Sequence, residues 1–413
     1  MKSEKYEDFK PIKLYKYQEE YIKKAKPCYL YDFDTGTGKT IMALYHYKVH
    51  FNNYKLLIVA PASKIKEGGW QRTIQETISQ TKYKICSYNN LKKFYNTNSN
   101  ELHNYFVIFD ECHRLKNILG IWGKYGFAVT EEAAGFILLS ATPIPNGWED
   151  AMNYFKMFGF IKYKTHFLNE FAITTRRWEH LEIIGWKNEE KLKNMWDSIS
   201  HRLSKSDCLE LPDLVEVPIY FKASKTYKQI KKNRVYEDNI YDNQMLLRHG
   251  LRLNTSLKDK INYVEEFIVN TTDNIVIFYN YVEEYKQLKN IIQKNKNKTL
   301  YTCNGQEKNY PKKDEWDTIK NTITLANYKS GSEAVEFTYA NIIIYFSPTD
   351  SYTEYYQSEG RCYRNGQKKK VTVYKFITKN TIEENIYEAL NNKQDFNFKI
   401  WERKEGIAHE NEQ

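Results

Sequence analysis

Short runs of apolar residues, each bounded by polar turns, recur in both halves of the chain. The first half contains CYLY, KLLIVAP, YFVIFDE and FILLSAT, and the second half contains NIVIFYN, TITLAN, NIIIYFS and VTVYKFI. Such runs are typical of parallel strands that are buried on both faces of a sheet. Segments with helical spacing, such as VEEYKQLKNIIQK, separate the runs. This alternation of strands and helices predicts two α/β domains.

The pattern changes between the two sets of strands. KLKNMWDSISHRLSKS and SKTYKQIKKNRVYEDNIYDNQMLLRHGLRL are polar and helix-like, and LPDLVEVPIYF between them is extended and interrupted by prolines. We therefore predict an α/β fold with two parallel sheets in two domains, joined by a helical insertion. The predicted boundaries are a first domain over residues 1–155, an insertion over 156–257, a second domain over 258–400 and a flexible tail over 401–413.

Composition and charge exclude several classes of protein. No stretch approaches the roughly 18 uninterrupted apolar residues of a membrane helix, and the start, MKSEKYEDFK, is too charged for a signal peptide. We therefore expect a cytoplasmic protein without membrane association. The six cysteines occur singly, which disfavours a zinc cluster or a disulfide framework. The net charge of +10 is compatible with a polyanionic partner and equally with a lysine-rich solvated surface.

The segment DFDTGTGKT lies between an apolar strand and a helix-like segment, which is where a phosphate-binding loop would stand. Gly36, Gly38, Lys39 and Thr40 form a GxGKT core, although Phe33 replaces the first glycine of the strict motif. Glycines at a strand-to-helix turn let backbone N–H groups and the positive end of the helix dipole point at a phosphate. Lys39 is expected to reach the β- and γ-phosphates of a nucleotide, and Thr40 to bind Mg²⁺.

Two carboxylates, Asp110 and Glu111, directly follow the apolar run YFVIF. This places them at the carboxyl end of a strand, the edge at which ligands bind in open α/β sheets. Asp110 is expected to hold Mg²⁺, and Glu111 to orient and deprotonate the attacking water. A solvated acidic turn would have the same appearance, but the phosphate loop upstream favours the catalytic interpretation.

The segment QSEGRCYRNGQ, in the second α/β half, contains two arginines three residues apart. Arg361 and Arg364 would lie on one face if this segment is helical. A guanidinium aimed at the γ-phosphate stabilises the charge of the transition state, and when it comes from another domain hydrolysis requires domain closure. We predict that these arginines complete a triphosphate site built by the first half.

In their order along the chain these segments resemble the motifs of a superfamily 2 helicase, specifically the Swi/Snf type of DNA translocase. LYKYQEEYI is similar to the adenine-reading segment, TGTGKT to motif I, VAPASKIKEGGW to motif Ia, SYNNL to the segment after it and DECHRLKN to motif II. SATPIPN resembles motif III, NIVIFYNYVEEYKQL motif IV, LANYKSGSEAVEFTYA motif V and QSEGRCYRNGQ motif VI. LSKSDCLELPDL and VTVYKFITKNTIEENIYEAL resemble the linker and C-terminal segments of that group, so the resemblance covers nearly the whole chain.

The resemblance implies that two RecA-like domains share one ATP and Mg²⁺ and bind nucleic acid on another face. In addition to the glycines, Lys39 and Thr40, it implies nucleotide contacts for Gln18, Thr35, Thr37 and Gln357. It implies contacts to the nucleic-acid backbone for Ser63, Lys64, Thr302 and Ser330. It implies coupling between the two sites for His113, Ser140, Thr142 and Glu333.

The predicted function is that of an ATP-dependent DNA helicase or translocase that acts as a monomer on single- or double-stranded DNA. In motif V, Ala334 and Glu336 depart from the glycine and asparagine usual in the family. One alternative is a DEAD-box RNA helicase, but its motif VI begins with histidine and ends with arginine, where this chain has Gln357 and Gln367. The same motifs would also suit a nucleic-acid clamp that hydrolyses little nucleotide, or the motor part of a restriction or repair complex.

Overall fold

The computed structural model describes residues 13–78, 81–177, 180–329 and 335–406. The chain divides into two compact units, Met1–Leu209 and Glu210–Gln413. Each unit contains its own sheet, in which parallel strands predominate, and two hydrophobic cores. The predicted α/β fold with two parallel sheets is therefore confirmed.

The first unit is built on a six-stranded parallel sheet. The strands of this unit are β1 (Tyr29–Phe33), β2 (Lys55–Ala60), β3 (Tyr83–Ser87), β4 (Tyr105–Asp110), β5 (Gly135–Ser140), β6 (Ala172–Arg177), β7 (His180–Trp186) and β8 (Ser200–Leu203). The sheet has the order β3-β2-β4-β5-β1-β8, while β6 and β7 form an antiparallel hairpin. Because β5 lies between β4 and β1, the carboxyl ends of these three strands meet at one edge.

Helices pack against both faces of this sheet. They are α1 (Lys16–Lys24), α2 (Lys39–His50), α3 (Ala62–Lys66), α4 (Gly69–Ile78), α5 (Leu91–Asn98), α6 (Ile121–Glu132), α7 (Trp148–Met157), α8 (Lys164–Phe171), α9 (Glu189–Ile199) and α10 (Lys205–Cys208). Successive side chains of a strand point to opposite faces. Leu57 and Ile58 therefore belong to different cores, which explains why the strands are apolar throughout.

The second unit contains a seven-stranded sheet with the order β14-β13-β15-β12-β16-β17-β9. The strands of this unit are β9 (Leu214–Lys222), β10 (Val235–Tyr236), β11 (Asn239–Ile240), β12 (Ile275–Tyr279), β13 (Thr299–Cys303), β14 (Lys308–Asn309), β15 (Thr322–Asn327), β16 (Ile342–Tyr345) and β17 (Val371–Lys379). Within the sheet β14 is antiparallel to its neighbour, and β10 and β11 form a separate hairpin.

The helices of the second unit follow the sequence pattern closely where their apolar spacing is strong. They are α11 (Lys225–Asn233), α12 (Gln244–Leu253), α13 (Leu257–Val269), α14 (Val282–Lys294), α15 (Tyr352–Cys362), α16 (Ile382–Asn391) and α17 (Phe398–Lys404). The segment VEEYKQLKNIIQK coincides with α14. Over the described part of both units, no helix has the length and apolar character needed to span a bilayer.

The predicted insertion over residues 156–257 is not a separate body, because each unit incorporates part of it. Strand β8, within a segment predicted to be helical, pairs with β1 of the first unit. Strand β9 pairs along its whole length with β17 of the second unit. The boundary between the units therefore falls at residue 209. These pairings satisfy backbone groups of edge strands, which local sequence patterns do not reveal.

The predicted start of the flexible tail, at residue 401, is too early in the chain. Helix α17 extends to Lys404, and Trp401 within it is buried. Glu402 is also buried, lies 3.3 Å from Arg234 and accepts a hydrogen bond from Gln244. The indole of Trp401 donates to Asn385 at 2.9 Å. The second unit therefore includes this helix, which is held by burial of its aromatic side chain and by polar contacts.

His46, on α2, is a buried histidine whose two ring nitrogens both have partners. Its Nδ1 lies 2.8 Å from the Tyr31 hydroxyl, and its Nε2 lies 3.0 Å from the Pro27 carbonyl oxygen. A neutral ring satisfies both contacts, since one nitrogen accepts from the tyrosine and the other donates to the carbonyl. Burial lowers the pKa of His46 to about 4. The unfolded chain should therefore bind a proton at His46 between about pH 6.5 and pH 4 that the folded unit does not.

Acidification should destabilise the first unit through His46. We expect the free energy of unfolding to fall as the pH drops from about 6.5 towards 4, with this histidine contributing about 1.4 kcal/mol per pH unit. Urea unfolding monitored by fluorescence at several pH values measures this slope. His46→Gln should reduce this slope by the contribution of about one bound proton, whereas His103→Gln, at an exposed position, should leave the slope unchanged. Equal slopes for wild type and His46→Gln would contradict the assignment.

Candidate active site

The loop between β1 and α2 has the backbone that its glycines were predicted to permit. Gly36 and Gly38 have φ values of +85° and +80°, in the left-handed region that favours glycine. A Cβ atom on Gly38 would lie 2.4 Å from Nε2 of Gln18. The same amide donates to the carbonyl oxygen of Thr37 at 3.2 Å. Gln18 thus supports the loop backbone from behind, and only glycine leaves room for it at position 38.

Lys39 begins α2 and points its ammonium back across the end of β1. Its Nζ donates to the carbonyl oxygens of Phe33 at 2.6 Å and Asp34 at 2.9 Å. Burial lowers the pKa of Lys39 to about 8, and the Glu111 carboxylate opposes this shift. The ammonium is therefore mainly charged at neutral pH. Within the described part of the chain, the buried Thr35 hydroxyl has no hydrogen-bond partner, so it can bond to a ligand in the loop.

The two predicted carboxylates stand at the end of β4, where they surround the ammonium of Lys64. Nζ of Lys64 lies 3.1 Å from both oxygens of Asp110 and 2.8 Å from Oε1 of Glu111. The Trp70 indole donates to Oδ2 of Asp110 at 3.0 Å. Burial alone would raise the pKa of Glu111, but Lys64, His113 and Lys39 together lower it far below its usual value. Glu111 is therefore ionised and able to accept a hydrogen bond from water.

A chain of contacts connects Glu111 with the end of β5. Nδ1 of His113 lies 3.5 Å from Oε2 of Glu111 and 3.3 Å from the Ser140 hydroxyl oxygen. That oxygen accepts a hydrogen bond from the backbone N–H of Thr142 at 3.1 Å. Burial lowers the pKa of His113 to about 4, so its ring is neutral near pH 7. The structure thus brings together His113, Ser140 and Thr142, the three described residues predicted to take part in coupling.

Arg202 is a site residue that sequence reasoning missed. From β8, its guanidinium donates to Oδ1 of Asp32 at 2.5 Å, to Oδ1 of Asp34 at 2.6 Å and to the Ala141 carbonyl oxygen at 3.0 Å. The backbone carbonyl oxygen of Asp34 also accepts a hydrogen bond from Lys39. Arg202 therefore ties the entrance of the phosphate loop to the segment after β5. The sequence offered one indication of Arg202, because it lies in HRLSKSDC, next to the segment that resembles the family linker. The carboxylates that it contacts, however, lie about 170 residues away in sequence.

The donor set at this edge of the sheet fits ATP with Mg²⁺. Asp110 and the Thr40 hydroxyl offer the oxygen ligands that Mg²⁺ prefers, and Glu111 follows Asp110 directly as the predicted base. The left-handed glycines, Lys39 and the unpartnered Thr35 hydroxyl supply donors for phosphate oxygens. The first unit alone therefore contains the groups needed to hold a triphosphate and its metal ion.

The second unit holds the predicted arginines at the end of α15. Gln357 and Arg361 are buried, and the carbonyl oxygen of Arg361 accepts from the backbone N–H of Phe337 at 2.8 Å. The guanidinium of Arg364 lies 3.0 Å from Glu336, which replaces the asparagine usual in the family. Because α15 ends at Cys362, Arg364 lies beyond the helix, and the condition under which the two arginines would share a helical face is not met.

Gln367 fastens the segment after α15 to the rest of the second unit. Its amide nitrogen donates to the carbonyl oxygens of Thr338 at 3.1 Å, Ala340 at 2.9 Å and Cys362 at 3.2 Å. An amide whose two N–H groups are shared among three carbonyl groups restricts the loop between them. The position of Arg364, three residues earlier, depends on this loop.

The residues predicted to contact nucleic acid differ in their burial and in their side-chain contacts. Ser63 is half-buried on α3 and stays a prediction. Thr302 is only 3% exposed inside the sheet, so its side chain does not face a surface partner, which corrects the prediction. The ammonium of Lys64 contacts Asp110 and Glu111, as described above. Ser330 and the predicted coupling residue Glu333 lie outside the described residues.

Comparison with known protein families gives one match in each half of the chain. A family described as "Type III restriction enzyme, res subunit" matches residues 11–156, and "Helicase conserved C-terminal domain" matches residues 259–366. The first match contains the phosphate loop and the carboxylates. The second contains both arginines.

Individual relatives extend the similarity over most of the chain. An uncharacterized ATP-dependent helicase of Mycoplasma pneumoniae is 23% identical over 88% of this chain and 39% of its own length. The Drosophila melanogaster SWI/SNF-related matrix-associated actin-dependent regulator of chromatin subfamily A-like protein 1 is 23% identical over 92% of this chain and 53% of its own length. A Sulfolobus solfataricus SWI2/SNF2 ATPase core, solved in complex with dsDNA, is 19% identical, with a TM-score of 0.45 and coverage of 92% of this chain and 91% of that chain.

The two family matches, one in each half of the chain, and the arrangement of motifs resemble the two domains of a superfamily 2 helicase. The relatives named above add similarity to ATP-dependent helicases and to a SWI/SNF-related protein. The chain spans about two fifths and about half of the length of these two relatives.

Proposed function

We propose that this chain is an ATP-driven DNA translocase that works as a monomer. One observation carries the proposal: Lys39 at the end of β1 and the carboxylates Asp110 and Glu111 at the end of β4 lie at the same edge of one parallel sheet. This combination of a phosphate-binding lysine with a metal-binding and a water-orienting carboxylate is the machinery of nucleoside-triphosphate hydrolysis.

The proposed reaction is the hydrolysis of ATP to ADP and phosphate. Lys39 and the loop backbone hold the phosphates, and Glu111 orients the water that attacks the γ-phosphorus and accepts its proton while the bond to ADP breaks. Asp110 and Thr40 would hold Mg²⁺, which would supply positive charge to the phosphate oxygens. Arg361 and Arg364 of the second unit are proposed to stabilise the charge of the transition state.

The proposed polynucleotide surface in the first unit lies beside α3. A cavity of about 600 Å³ is lined there by Lys66 of α3, by Ser87 at the end of β3, and by Asn90 and Lys93 beyond that strand. Ammonium, hydroxyl and amide groups suit the phosphates of a nucleic-acid backbone without reading its sequence. The similarity of the chain to a SWI/SNF-related protein supports DNA over RNA. We therefore propose salt-sensitive binding with little sequence preference.

A comparison of nucleic acids as activators tests this function. We expect duplex DNA to raise the ATPase rate at least tenfold over the rate without nucleic acid, and RNA of equal length to raise it less. Displacement of a triplex-forming strand, measured beside unwinding of a forked duplex, then separates translocation from strand separation. ATP binding without turnover would contradict the motor and favour a clamp. Stimulation by RNA alone would favour the RNA helicase.

A further inference from the structure

The position of Lys64 has a consequence for metal binding. Three carboxylate oxygens lie within 3.1 Å of its ammonium, two from Asp110 and one from Glu111. Asp110 is also the proposed ligand of Mg²⁺, and Glu111 the proposed base. An ammonium and a divalent cation compete for the same oxygens, because each is stabilised there by the same negative charge. Lys64 and Mg²⁺ therefore oppose one another at this site.

Lys64 belongs to a short helix that lies at the surface of the first unit and is anchored to its core through Ile65. Each of the five residues of α3, all of them described, is exposed or half-buried, and the side chain of Lys64 is 22% exposed. Trp70, by contrast, is buried on α4 and holds Asp110 through its indole. Displacement of α3 would remove the ammonium from the carboxylates while Trp70 keeps Asp110 in place.

The same short helix borders the cavity in which a polyanion would bind. Ala62, Ile65 and Lys66 of α3 line the cavity, and Lys93 of α5 faces it as well. Phosphate groups there would attract Lys66 and Lys93 and so pull on α3, whose Lys64 does not itself line the cavity. The cavity and the two carboxylates thus share one neighbouring element, the five-residue helix α3.

We propose that Lys64 is an internal competitor of Mg²⁺ that suppresses ATP hydrolysis until a DNA backbone draws α3 away from Asp110 and Glu111. The proposal rests on the function proposed above and adds its regulation. It explains why a lysine in the segment resembling a nucleic-acid-binding motif contacts the catalytic carboxylates. Nucleic-acid stimulation of the ATPase then follows from restored metal affinity.

Metal binding tests the proposal independently of catalysis. Mn²⁺ alone serves as the probe, and its free concentration is measured by electron paramagnetic resonance with the full chain in the absence of nucleotide. Lys64→Met should bind Mn²⁺ about tenfold more tightly than wild type, the change expected for removing one neighbouring positive charge. Lys64→Arg, which keeps the charge, and Lys124→Met, at an exposed position of α6, should match wild type. Lys64→Gln serves as a second neutral variant if Lys64→Met fails to fold.

Duplex DNA provides the second arm of the test. Adding it should raise the Mn²⁺ affinity of wild type towards that of Lys64→Met, and leave the affinity of the variant unchanged. The ATPase rate of Lys64→Met without DNA should rise several-fold, which lowers the ratio of stimulated to basal rate. Unchanged Mn²⁺ affinity in both neutral variants would overturn the proposal, as would loss of both ATPase rates. If wild type hydrolyses no ATP, the proposed function fails, and the Mn²⁺ measurements still decide the role of Lys64.

Discussion

Glu111→Gln should lower the steady-state ATPase rate by about 10²–10⁴-fold, the usual contribution of a general base, while ATP binding remains measurable. Glutamine keeps the shape of the side chain and can still hydrogen-bond, but it cannot take the proton of the attacking water. The groups that hold the triphosphate, Lys39 and the glycine loop, stay intact. Phosphate release at saturating DNA measures the rate, and a fluorescent ATP analogue measures binding.

The variant is compatible with folding because it removes one of two carboxylates around Lys64. The ammonium keeps both oxygens of Asp110 at 3.1 Å, so it is not left without a counter-charge. Glu131→Gln, at an exposed position of α6, is the matched control for losing a carboxylate from the same unit. A turnover rate of Glu111→Gln within tenfold of this control would reject Glu111 as the base.

Arg364→Ala should reduce the ATPase rate by about 10³-fold or more, the range measured for arginines that stabilise phosphoryl transfer from a second domain. ATP affinity should change only a few-fold, because the proposed binding groups belong to the first unit. Single-turnover hydrolysis separates the two quantities, since it reports the chemical step once ATP is bound. Loss of affinity without loss of rate would mean that Arg364 binds the ground state instead.

The ion pairs around Arg364 allow the effect of Arg364→Ala to be interpreted. Arg364 contacts Glu336, and Lys313 lies 3.5 Å from the other oxygen of that carboxylate, so the arginine can be removed without leaving Glu336 unpaired. Lys368→Ala removes a cation four residues further along, from a side chain that is 73% exposed. If both variants had the same ATPase rate, the effect would be one of general charge and the role of Arg364 would be refuted.

Features that depend on a few neighbouring residues could be predicted from the sequence. The apolar runs predicted strands β1, β2, β4 and β5 because a strand covered on both faces needs apolar residues at every position. The glycines of the phosphate loop were recognisable because left-handed backbone excludes most other residues. The order of the motifs along the chain was sufficient to indicate the family.

Features that depend on contacts between distant residues required the tertiary structure. Strand β8 follows a helix without a break and has four residues, so its apolar pattern is too short to distinguish it, and only pairing with β1 defines it. Arg202 reaches the phosphate loop only because of that pairing. The burial of Thr302 and the ion pair between Lys64 and Asp110 likewise result from the packing of elements that are distant in sequence.

The sequence by itself thus determined the fold class and indicated the family and the chemistry of the candidate triphosphate site, since periodicity and short motifs encode them locally. The tertiary structure alone decided where the units divide and which charged side chains surround the catalytic carboxylates. The physical reason is that strand pairing and ion pairing act between groups that are close in space. When such groups are far apart along the chain, local sequence patterns do not show that they are in contact.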